Sequence, residues 1–343
     1  MSDIRVAIWG LGSMGSGMAR MISGKSGLEI AGGIDSREEK AGEDIGDLIG
    51  LDDQLGVKAT DDPEEAIDSD VDVVLNATSS FRDDVRDVLE FSLEKGCDVI
   101  TIAEEMAYPR AGDADFADEL DRLARENGVS LLGTGINPGF VLDLLIITLS
   151  GACIDVEKIE ASRVNDLSPF GPTVMKTQGV GTTVEEFEEG VRSGEIVGHI
   201  GFRESIEMVA DRLGWQLDRI EESREPIVSE THRETEHVEV ETGSVAGCKH
   251  IARGIKDGKE IIVLKHPQQI HPEEVGVETG DYIKIHGDPG VDMAIQPEIP
   301  GGKGTMAVTV NMIPQIVKAD PGLKSMADLP VPGAIMGDIE NLT

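Results

Sequence analysis

Hydrophobic residues in the first third of the chain form short continuous runs that alternate with amphipathic stretches. The runs at 6–9, 28–34, 71–78, 98–102 and 130–134 are typical of buried parallel strands, which are covered on both faces. Apolar residues at helical spacing predict helices after residue 14, near Pro63, at 83–95 and at 114–127. A short strand is predicted at 57–60. This alternation predicts a doubly wound parallel sheet of the Rossmann type.

The pattern changes after residue 136. The apolar run 141–149 predicts a buried helix, and residues 156–163 alternate as a strand does. Residues 165–181 are rich in Gly, Pro, Ser and Thr and predict a long loop before a helix that opens near Thr183. Further strands are predicted at 227–240, 248–254, 260–265 and 282–287. We therefore expect an α/β protein with a Rossmann domain at 1–135 and a second, α+β domain at 136–304. Residues 305–343 are expected to pack back on the first domain.

The first predicted strand leads directly into three glycines with G-x-G-x-x-G spacing. The first glycine of this motif allows a tight turn, the second lets the backbone approach a diphosphate, and the third lets helix pack on strand. The N–H groups and dipole at the start of the next helix then bind the diphosphate. We predict a dinucleotide site with a loop formed by Gly10, Leu11, Gly12, Ser13, Met14 and Gly15.

The second predicted strand ends in Asp35, which lies where this motif places a carboxylate for the ribose of the cofactor. Asp35 would accept a hydrogen bond from the 2′-hydroxyl of NAD and repel the 2′-phosphate of NADP. Ser36 and Arg37 follow at once and could bind that phosphate instead. The residues support NAD, NADP or both.

Parallel strands present their carboxyl ends at one edge of the sheet, where ligands bind. The small and polar residues expected to line the cofactor groove there are Ala77, Thr78, Ser79, Ala103 and Asn137. Glu104 and Glu105 follow the fifth strand directly and would bring a carboxylate to the nicotinamide end. Neighbouring side chains point to opposite sides of a strand, so only one of the two glutamates is expected to face the cleft.

The chain carries 66 acidic and 30 basic residues, a formal net charge of −36 over 343 residues. Such a charge repels nucleic acid and anionic membranes, so neither is expected as a partner. The acids are spread along the chain and predict a solvated acidic surface. We hypothesise that this surface is adapted to a high-salt cytoplasm, where screening relieves the repulsion.

Cys97, Cys153 and Cys248 have no metal-like spacing and cannot all pair, so we expect reduced thiols and no metal site. The first strand starts within the first ten residues, and no run of eighteen apolar residues is present. We therefore expect no signal peptide, no membrane-spanning helix and a cytoplasmic protein.

Four segments resemble the family of 2,4-diaminopentanoate dehydrogenase and its amine dehydrogenase relatives. They are Gly133-Thr-Gly-Ile-Asn-Pro-Gly139-Phe, Ala103-Glu104-Glu105-Met, Gly198-His199-Ile-Gly-Phe-Arg-Glu-Ser205 and the stretch from Val310-Asn-Met-Ile-Pro314 to Pro332. The resemblance covers nearly the whole chain. It implies a fold like that of dihydrodipicolinate reductase, with a substrate domain that also forms a homodimer. It further implies NAD(P)-dependent oxidation of the 4-amino group of 2,4-diaminopentanoate to 2-amino-4-oxopentanoate and ammonia.

The resemblance also implies which residues act. Glu104 corresponds to the catalytic glutamate, with Glu105 as the alternative. The residues implied to surround the substrate are Asn137, Arg163, Asn165, His199, His266 and Thr305. Arg163 could hold a substrate carboxylate through two hydrogen bonds. The segment 166–172, directly after Asn165, departs from the family pattern.

Two other readings stay open from the residues. One is another reductase on the same scaffold, of the dihydrodipicolinate reductase or homoserine dehydrogenase type. The first normally carries a His-His pair with a nearby lysine, and the second has a lysine where Glu104 stands. The other reading is a regulator that binds dinucleotide without turnover. Intact Glu104 and the loop at Asn137 argue against it.

Overall fold

A computed structural model describes residues 3–339 and divides the chain into two compact units. Unit 1 contains the residues up to Phe140 and those from Pro300 onward, and unit 2 is Val141–Ile299. The elements in the first part of unit 1 are β1 (Ile4–Trp9), α1 (Ser13–Ser23), β2 (Leu28–Ile34), α2 (Ile45–Ile49), β3 (Ala59–Thr60), α3 (Pro63–Ala66), β4 (Val73–Asn76), α4 (Arg82–Glu94), β5 (Asp98–Thr101), α5 (Ala114–Asn127) and β6 (Ser130–Gly133).

Unit 2 contains a longer series of strands and helices. They are α6 (Leu144–Ser150), β7 (Asp155–Asp166), α7 (Pro172–Thr177), α8 (Val184–Ser193), α9 (Phe202–Arg212), β8 (Arg219–Val228), β9 (Arg233–Glu234), β10 (Glu239–Val240), β11 (Val245–Lys256), β12 (Lys259–Gln269), β13 (Gly280–Asp288) and β14 (Val291–Ile295). The chain then returns to unit 1 with α10 (Gly301–Asn311), α11 (Ile313–Ile316) and β15 (Gly322–Lys324).

Unit 1 is built on a parallel sheet of seven strands in the order β15-β6-β5-β4-β1-β2-β3. Its central strands are buried on both faces, as the continuous apolar runs predicted; Val6, Ile8 and Leu75 are fully buried. All pairings in this sheet are parallel, so the carboxyl ends of β1, β2, β4, β5 and β6 lie at one edge. The predicted Rossmann fold is confirmed.

The helices of unit 1 begin and end where local chemistry predicts. α5 starts at Asp113, whose carboxylate accepts from the Phe116 N–H, and stops at Gly128, which has a φ of 72°. Phe116 and Leu120 lie on its buried face, and each contributes about 1.5–3 kcal/mol by leaving water. No helix described between residues 3 and 339 is long and apolar enough to cross a lipid bilayer.

Unit 2 is built on a six-stranded mixed sheet in the order β14-β13-β7-β12-β11-β8. Alternate residues of β7 face the covered side, and they include Ile159 and Ala161 next to the polar Arg163 and Asn165. α9 packs on this side: a methyl group added at Gly254 would lie 3.1 Å from Ile206. The polar residues of interest in unit 2 therefore project into a buried layer between sheet and helix.

Two predicted elements of unit 2 are wrong. Residues 165–181 are not a continuous loop, because β7 runs on to Asp166 and α7 forms at Pro172–Thr177. Residues 227–240 are not one strand, because β8 ends at Val228 and a small hairpin of β9 and β10 follows. Arg233 ties that hairpin to the carbonyl of Ile270 and the side chain of Gln269.

Candidate active site

The glycine loop has the shape that a bound diphosphate requires. A methyl group at Gly15 would lie 1.8 Å from the carbonyl oxygen of Gly10, so only glycine lets α1 pack this closely. Gly10 has a φ of 98° and abuts the carbonyl of Ala77, whereas the space over Gly12 is open. Among the described residues, no side chain caps α1 and no acid lies in its first turn. The helix end therefore has the room and the positive potential for an anion.

Asp35 lies beneath this loop and is surrounded by donors. Its carboxylate accepts from the Leu11 N–H at 3.0 Å and from Arg37 Nε and Nη2 at 2.8 and 2.7 Å. Lys40 Nζ lies 3.1 Å from Asp35 and also donates to the Leu11 carbonyl. These hydrogen bonds, led by that of Arg37, hold the pKa of Asp35 well below its usual value. Ser36 is exposed beside them.

The end of β4 adjoins the same loop. Asn76 is fully buried, and its Oδ1 accepts from both the N–H and the hydroxyl of Thr78 at 2.9 Å. A methyl group at Gly10 would meet Ala77 at 2.8 Å and Thr78 at 3.1 Å. The structure therefore brings Ala77 and Thr78 next to the glycine loop. The Ser79 hydroxyl instead donates to Asp84 at 2.7 Å, at the start of α4.

The two adjacent glutamates after β5 have different partners. Glu105 accepts from the Arg82 N–H at 3.0 Å and so helps to cap α4. Glu104 is partly buried, and burial is the main cause that raises its pKa above the usual value, while the nearby Ser80 side chain opposes the rise. The Ser80 carbonyl also accepts from the Glu105 N–H at 3.3 Å. Of the two glutamates, Glu105 is thus the one whose carboxylate accepts a hydrogen bond from the backbone of α4, which leaves Glu104 as the candidate for another role.

The loop after β6 is joined to the last helix region of unit 1. Thr305, on α10, accepts through its hydroxyl from the Ile136 N–H at 3.1 Å, one residue before Asn137. α10 packs on α1, where Gly17 faces Met306. Ala103 donates its N–H to the Thr101 hydroxyl at 3.2 Å. All the predicted cofactor residues, and also Glu104, Asn137 and Thr305, therefore belong to unit 1.

Arg163 is buried in unit 2 with partners inside the protein. Its Nη1 lies 2.6 Å from Asp281, and its Nη2 donates to the carbonyl of Ile299. The side chains of Arg163 and Asp281 are only 3% and 0% exposed. Both terminal nitrogens of this guanidinium are thus already hydrogen-bonded, and its role as a carboxylate anchor stays a prediction.

His266 and Asn165 are buried in unit 2, and the partly exposed His199 lies against His266. His266 Nε2 lies 2.7 Å from Asn165 Oδ1, an atom that can only accept, so Nε2 carries the proton. Its other nitrogen, Nδ1, is buried and has no partner among residues 3–339. His199 packs edge-on against His266 with ring centroids 4.8 Å apart. Burial lowers the pKa of His199 to about 3 and that of His266 well below its usual value, so both rings are neutral.

Several residues of these sites were not predicted from the sequence. Lys40 was not singled out, and Ser80 was grouped only with the small and polar residues at the end of β4. Asp281 is 118 positions from Arg163 in the chain. His250, which accepts from the His199 N–H at 3.0 Å, is brought there by strand pairing. Such partners carry no local signal. Only the cluster of cations after Asp35 could have pointed to Lys40.

The fold and the glycine loop define the class of protein: an NAD(P)-dependent dehydrogenase with a Rossmann domain. Residues 4–102 match the family of the dihydrodipicolinate reductase N-terminus, and residues 140–343 match the 2,4-diaminopentanoate dehydrogenase C-terminal domain. The chain is 50% identical to 2,4-diaminopentanoate dehydrogenase of Acetoanaerobium sticklandii, over 100% of this chain and 98% of that protein. The chain belongs to the 2,4-diaminopentanoate dehydrogenase family.

More distant relatives agree with this assignment. The chain is 28% identical to an amine dehydrogenase of Streptomyces virginiae, over 97% of this chain and 98% of the relative. The structure of an amine dehydrogenase from Mycobacterium smegmatis superimposes with a TM-score of 0.83 at 28% identity, over 96% of each chain. The protein is therefore an oxidoreductase that acts on amines, which are small molecules. This assignment disfavours both alternatives that the residues left open, which are another reductase on the same scaffold and a regulator that binds dinucleotide without turnover.

Proposed function

We propose that this enzyme oxidises the 4-amino group of 2,4-diaminopentanoate, releasing ammonia and 2-amino-4-oxopentanoate, with Glu104 as the catalytic carboxylate. The observation that carries the proposal is the contrast between the two glutamates. Glu105 accepts a hydrogen bond from the backbone of α4, whereas Glu104 is a partly buried carboxyl whose pKa is raised by burial. A base with a pKa closer to neutrality accepts and returns protons more readily at cellular pH. The 50% identity to a protein with this activity supports the choice of substrate.

The residues present fit a dinucleotide, because the space over Gly12 is open and the first turn of α1 carries no acid among the described residues. Gly10, Gly12 and the start of α1 would hold its diphosphate. When bound, the nicotinamide supplies the acceptor for a hydride. The amine must lose a proton before its carbon can release that hydride. Glu104 would take this proton and pass it to solvent, and the carboxylate restored in this way would stabilise the cationic imine carbon. The same carboxylate would then take a proton from the attacking water and return it to the nitrogen, which leaves as ammonia when the C–N bond breaks.

We further propose that the cluster of His266, Asn165 and His199 binds the amino acid end of the substrate. His266 is held as the Nε2–H tautomer by Asn165, so its buried Nδ1 offers a lone pair. A substrate ammonium group is the kind of donor that satisfies such an atom. Arg163 would have to exchange Asp281 or the Ile299 carbonyl to bind a carboxylate directly. Asn137 and Thr305 remain proposed substrate contacts of unit 1.

The test follows absorbance of the reduced cofactor with 2,4-diaminopentanoate and a panel of simple amines. We expect Glu104→Gln to lower turnover by about 10²–10⁴-fold while cofactor still binds, because general-base catalysis contributes that much. Glu105→Gln is the matched control, since its amide oxygen can still accept from the Arg82 N–H, and it should keep most activity. Near-normal turnover in Glu104→Gln would refute the assignment. Turnover with simple amines alone would keep Glu104 and move the substrate to a smaller amine.

We also propose that the enzyme is a homodimer formed through the uncovered face of the unit 2 sheet. That face carries half-exposed side chains from four adjacent strands, among them Tyr282, Ser162, Lys265 and Lys249. Sedimentation velocity should give the mass of a dimer. Ser162→Arg, at the centre of the face, should shift the measured mass to that of a monomer.

We also propose a reducing, cytoplasmic location, which the three free cysteines support.

A further inference from the structure

The carboxylate of Asp35 already accepts so many hydrogen bonds that no lone pair is left for a hydroxyl group of the cofactor. Two carboxylate oxygens offer about four lone-pair positions. Five groups already donate to them: the N–H groups of Leu11 and Arg37, Nε and Nη2 of Arg37, and Nζ of Lys40. A ribose 2′-hydroxyl could bind Asp35 only by displacing one of these donors. The arrangement therefore does not favour the hydroxyl of NAD.

Lys40 is the inner of the two cations. Its side chain is 16% exposed, against 48% for that of Arg37. It bridges Asp35 and the backbone carbonyl of Leu11, so it is fixed to the glycine loop itself. Arg37 closes the outer side with a two-pronged contact to the carboxylate. Asp35 with these two cations carries a local charge of +1 in a chain whose formal net charge is −36.

We propose that Lys40, together with Arg37, is a specificity-determining pair that selects the 2′-phosphate of NADP over the 2′-hydroxyl of NAD. A phosphate brings three acceptor oxygens to the donors that are now bound to Asp35. Guanidinium and ammonium groups bind phosphate through short, charge-assisted hydrogen bonds. Asp35 then acts as a holder that keeps both cations in place in the free enzyme. The cations turn from it to the phosphate when NADP binds.

This inference concerns the adenosine end of the cofactor alone, so it does not depend on which amine is oxidised. Fragment binding to the full chain tests it without turnover. The probes are 2′,5′-ADP, which carries the 2′-phosphate, and 5′-ADP, which lacks it, titrated calorimetrically at one fixed salt concentration. We expect 2′,5′-ADP to bind the native enzyme about tenfold more tightly or better, as expected for charged hydrogen bonds. Tighter binding of 5′-ADP would overturn the proposal.

Single variants at Lys40 assign the effect to the inner cation of the pair. Lys40→Gln should weaken 2′,5′-ADP by about tenfold and change 5′-ADP by less than about threefold, since only the 2′-phosphate uses the ammonium group. Lys40→Arg keeps a cation and should keep the preference. Lys95→Gln is the matched control: it removes the same charge from an ion pair with Glu64 at the surface and should alter neither affinity. Equal weakening of both probes by Lys40→Gln, or no effect on either, would contradict the assignment.

Discussion

The side chain of Ser80 acts on the carboxyl group of Glu104 in the direction opposite to burial. Burial favours the protonated form of Glu104, whereas Ser80 favours the ionised form. The proposed mechanism needs the ionised form of Glu104 to accept a proton from the amine. We therefore predict that Ser80 is a positioning residue that acts through Glu104.

Removing the Ser80 hydroxyl should raise the pKa of Glu104 further. We expect Ser80→Ala to move the acidic limb of the kcat/KM–pH profile upward by about one pH unit, because a hydrogen bond to a charged group contributes about 1.5 kcal/mol. Ser80→Thr keeps a hydroxyl and should restore the native limb. The Ser79 hydroxyl donates to Asp84, so Ser79→Ala should leave the position of the limb unchanged whatever its effect on rate. An unmoved limb in Ser80→Ala would show that the hydroxyl does not tune Glu104.

At the scale of elements, the start of β5 contains a carboxyl group that opposes folding at neutral pH. Asp98 accepts from the Ser130 N–H at 2.7 Å and so joins the beginnings of β5 and β6. Burial is the main cause that raises the pKa of Asp98 to about 6, from 3.8. Because the folded pKa is raised, the stabilising contribution is complete below pH 3.8 and is lost as the pH rises through 6.

Asp98→Asn should therefore remove part of the pH dependence of stability. The amide oxygen can still accept from Ser130, and no buried charge develops. We expect the variant to gain on the native protein between pH 4 and 7, by at most about 3 kcal/mol at 1.36 kcal/mol per pKa unit. Urea unfolding at several pH values measures this. Asp87→Asn, an exposed acid on α4, is the control and should run parallel to the native protein. Parallel behaviour of Asp98→Asn would contradict the prediction.

Elements were predictable where a local signal coincided with the tertiary role. β2 and α5 have the predicted bounds. An apolar run defines β2, whereas an N-terminal capping residue and a C-terminal glycine define α5. The predicted strand at 227–240 was misplaced. The strand β8 lies at Arg219–Val228, where many residues are charged and no apolar alternation marks it. Glu222 and Arg224 point toward His250 and the Val197 carbonyl, partners that strand pairing brings from elsewhere. Pro226 is tolerated because β8 is an edge strand.

The same distinction applies to the candidate site. The glycine loop, Asp35 and Glu104 could be predicted because each follows directly from the end of a strand. The pairing of Arg163 with Asp281 could not, because β13 reaches β7 only in the folded sheet. The proposed choice of Glu104 over Glu105 likewise rests on the contact of Glu105 with Arg82, twenty-three positions away.

At the scale of the whole molecule, charge is the dominant feature. Sixty-six acids against thirty basic residues leave a net charge of −36, and the compact state holds these charges closer together than the unfolded chain does. The repulsion lies mainly between exposed groups, so it is the kind that salt screens. The Debye length falls from about 10 Å at 0.1 M to about 3 Å at 1 M, which is shorter than most spacings between surface charges.

We therefore expect the midpoint of thermal unfolding to rise between 0.05 and 1 M NaCl by about 3 °C, because about 2 kcal/mol of relieved repulsion is divided by an unfolding entropy of about 0.7 kcal/mol/K for a chain of 343 residues. Calorimetry in a salt series measures the rise. Sucrose at matched osmolality is the control, because it stabilises through exclusion from the surface without screening charge. Salt should exceed sucrose, and most of its effect should be complete by 1 M. Equal stability at low and high salt would mean that the acidic surface is solvated without mutual repulsion, and the high-salt hypothesis would then fail.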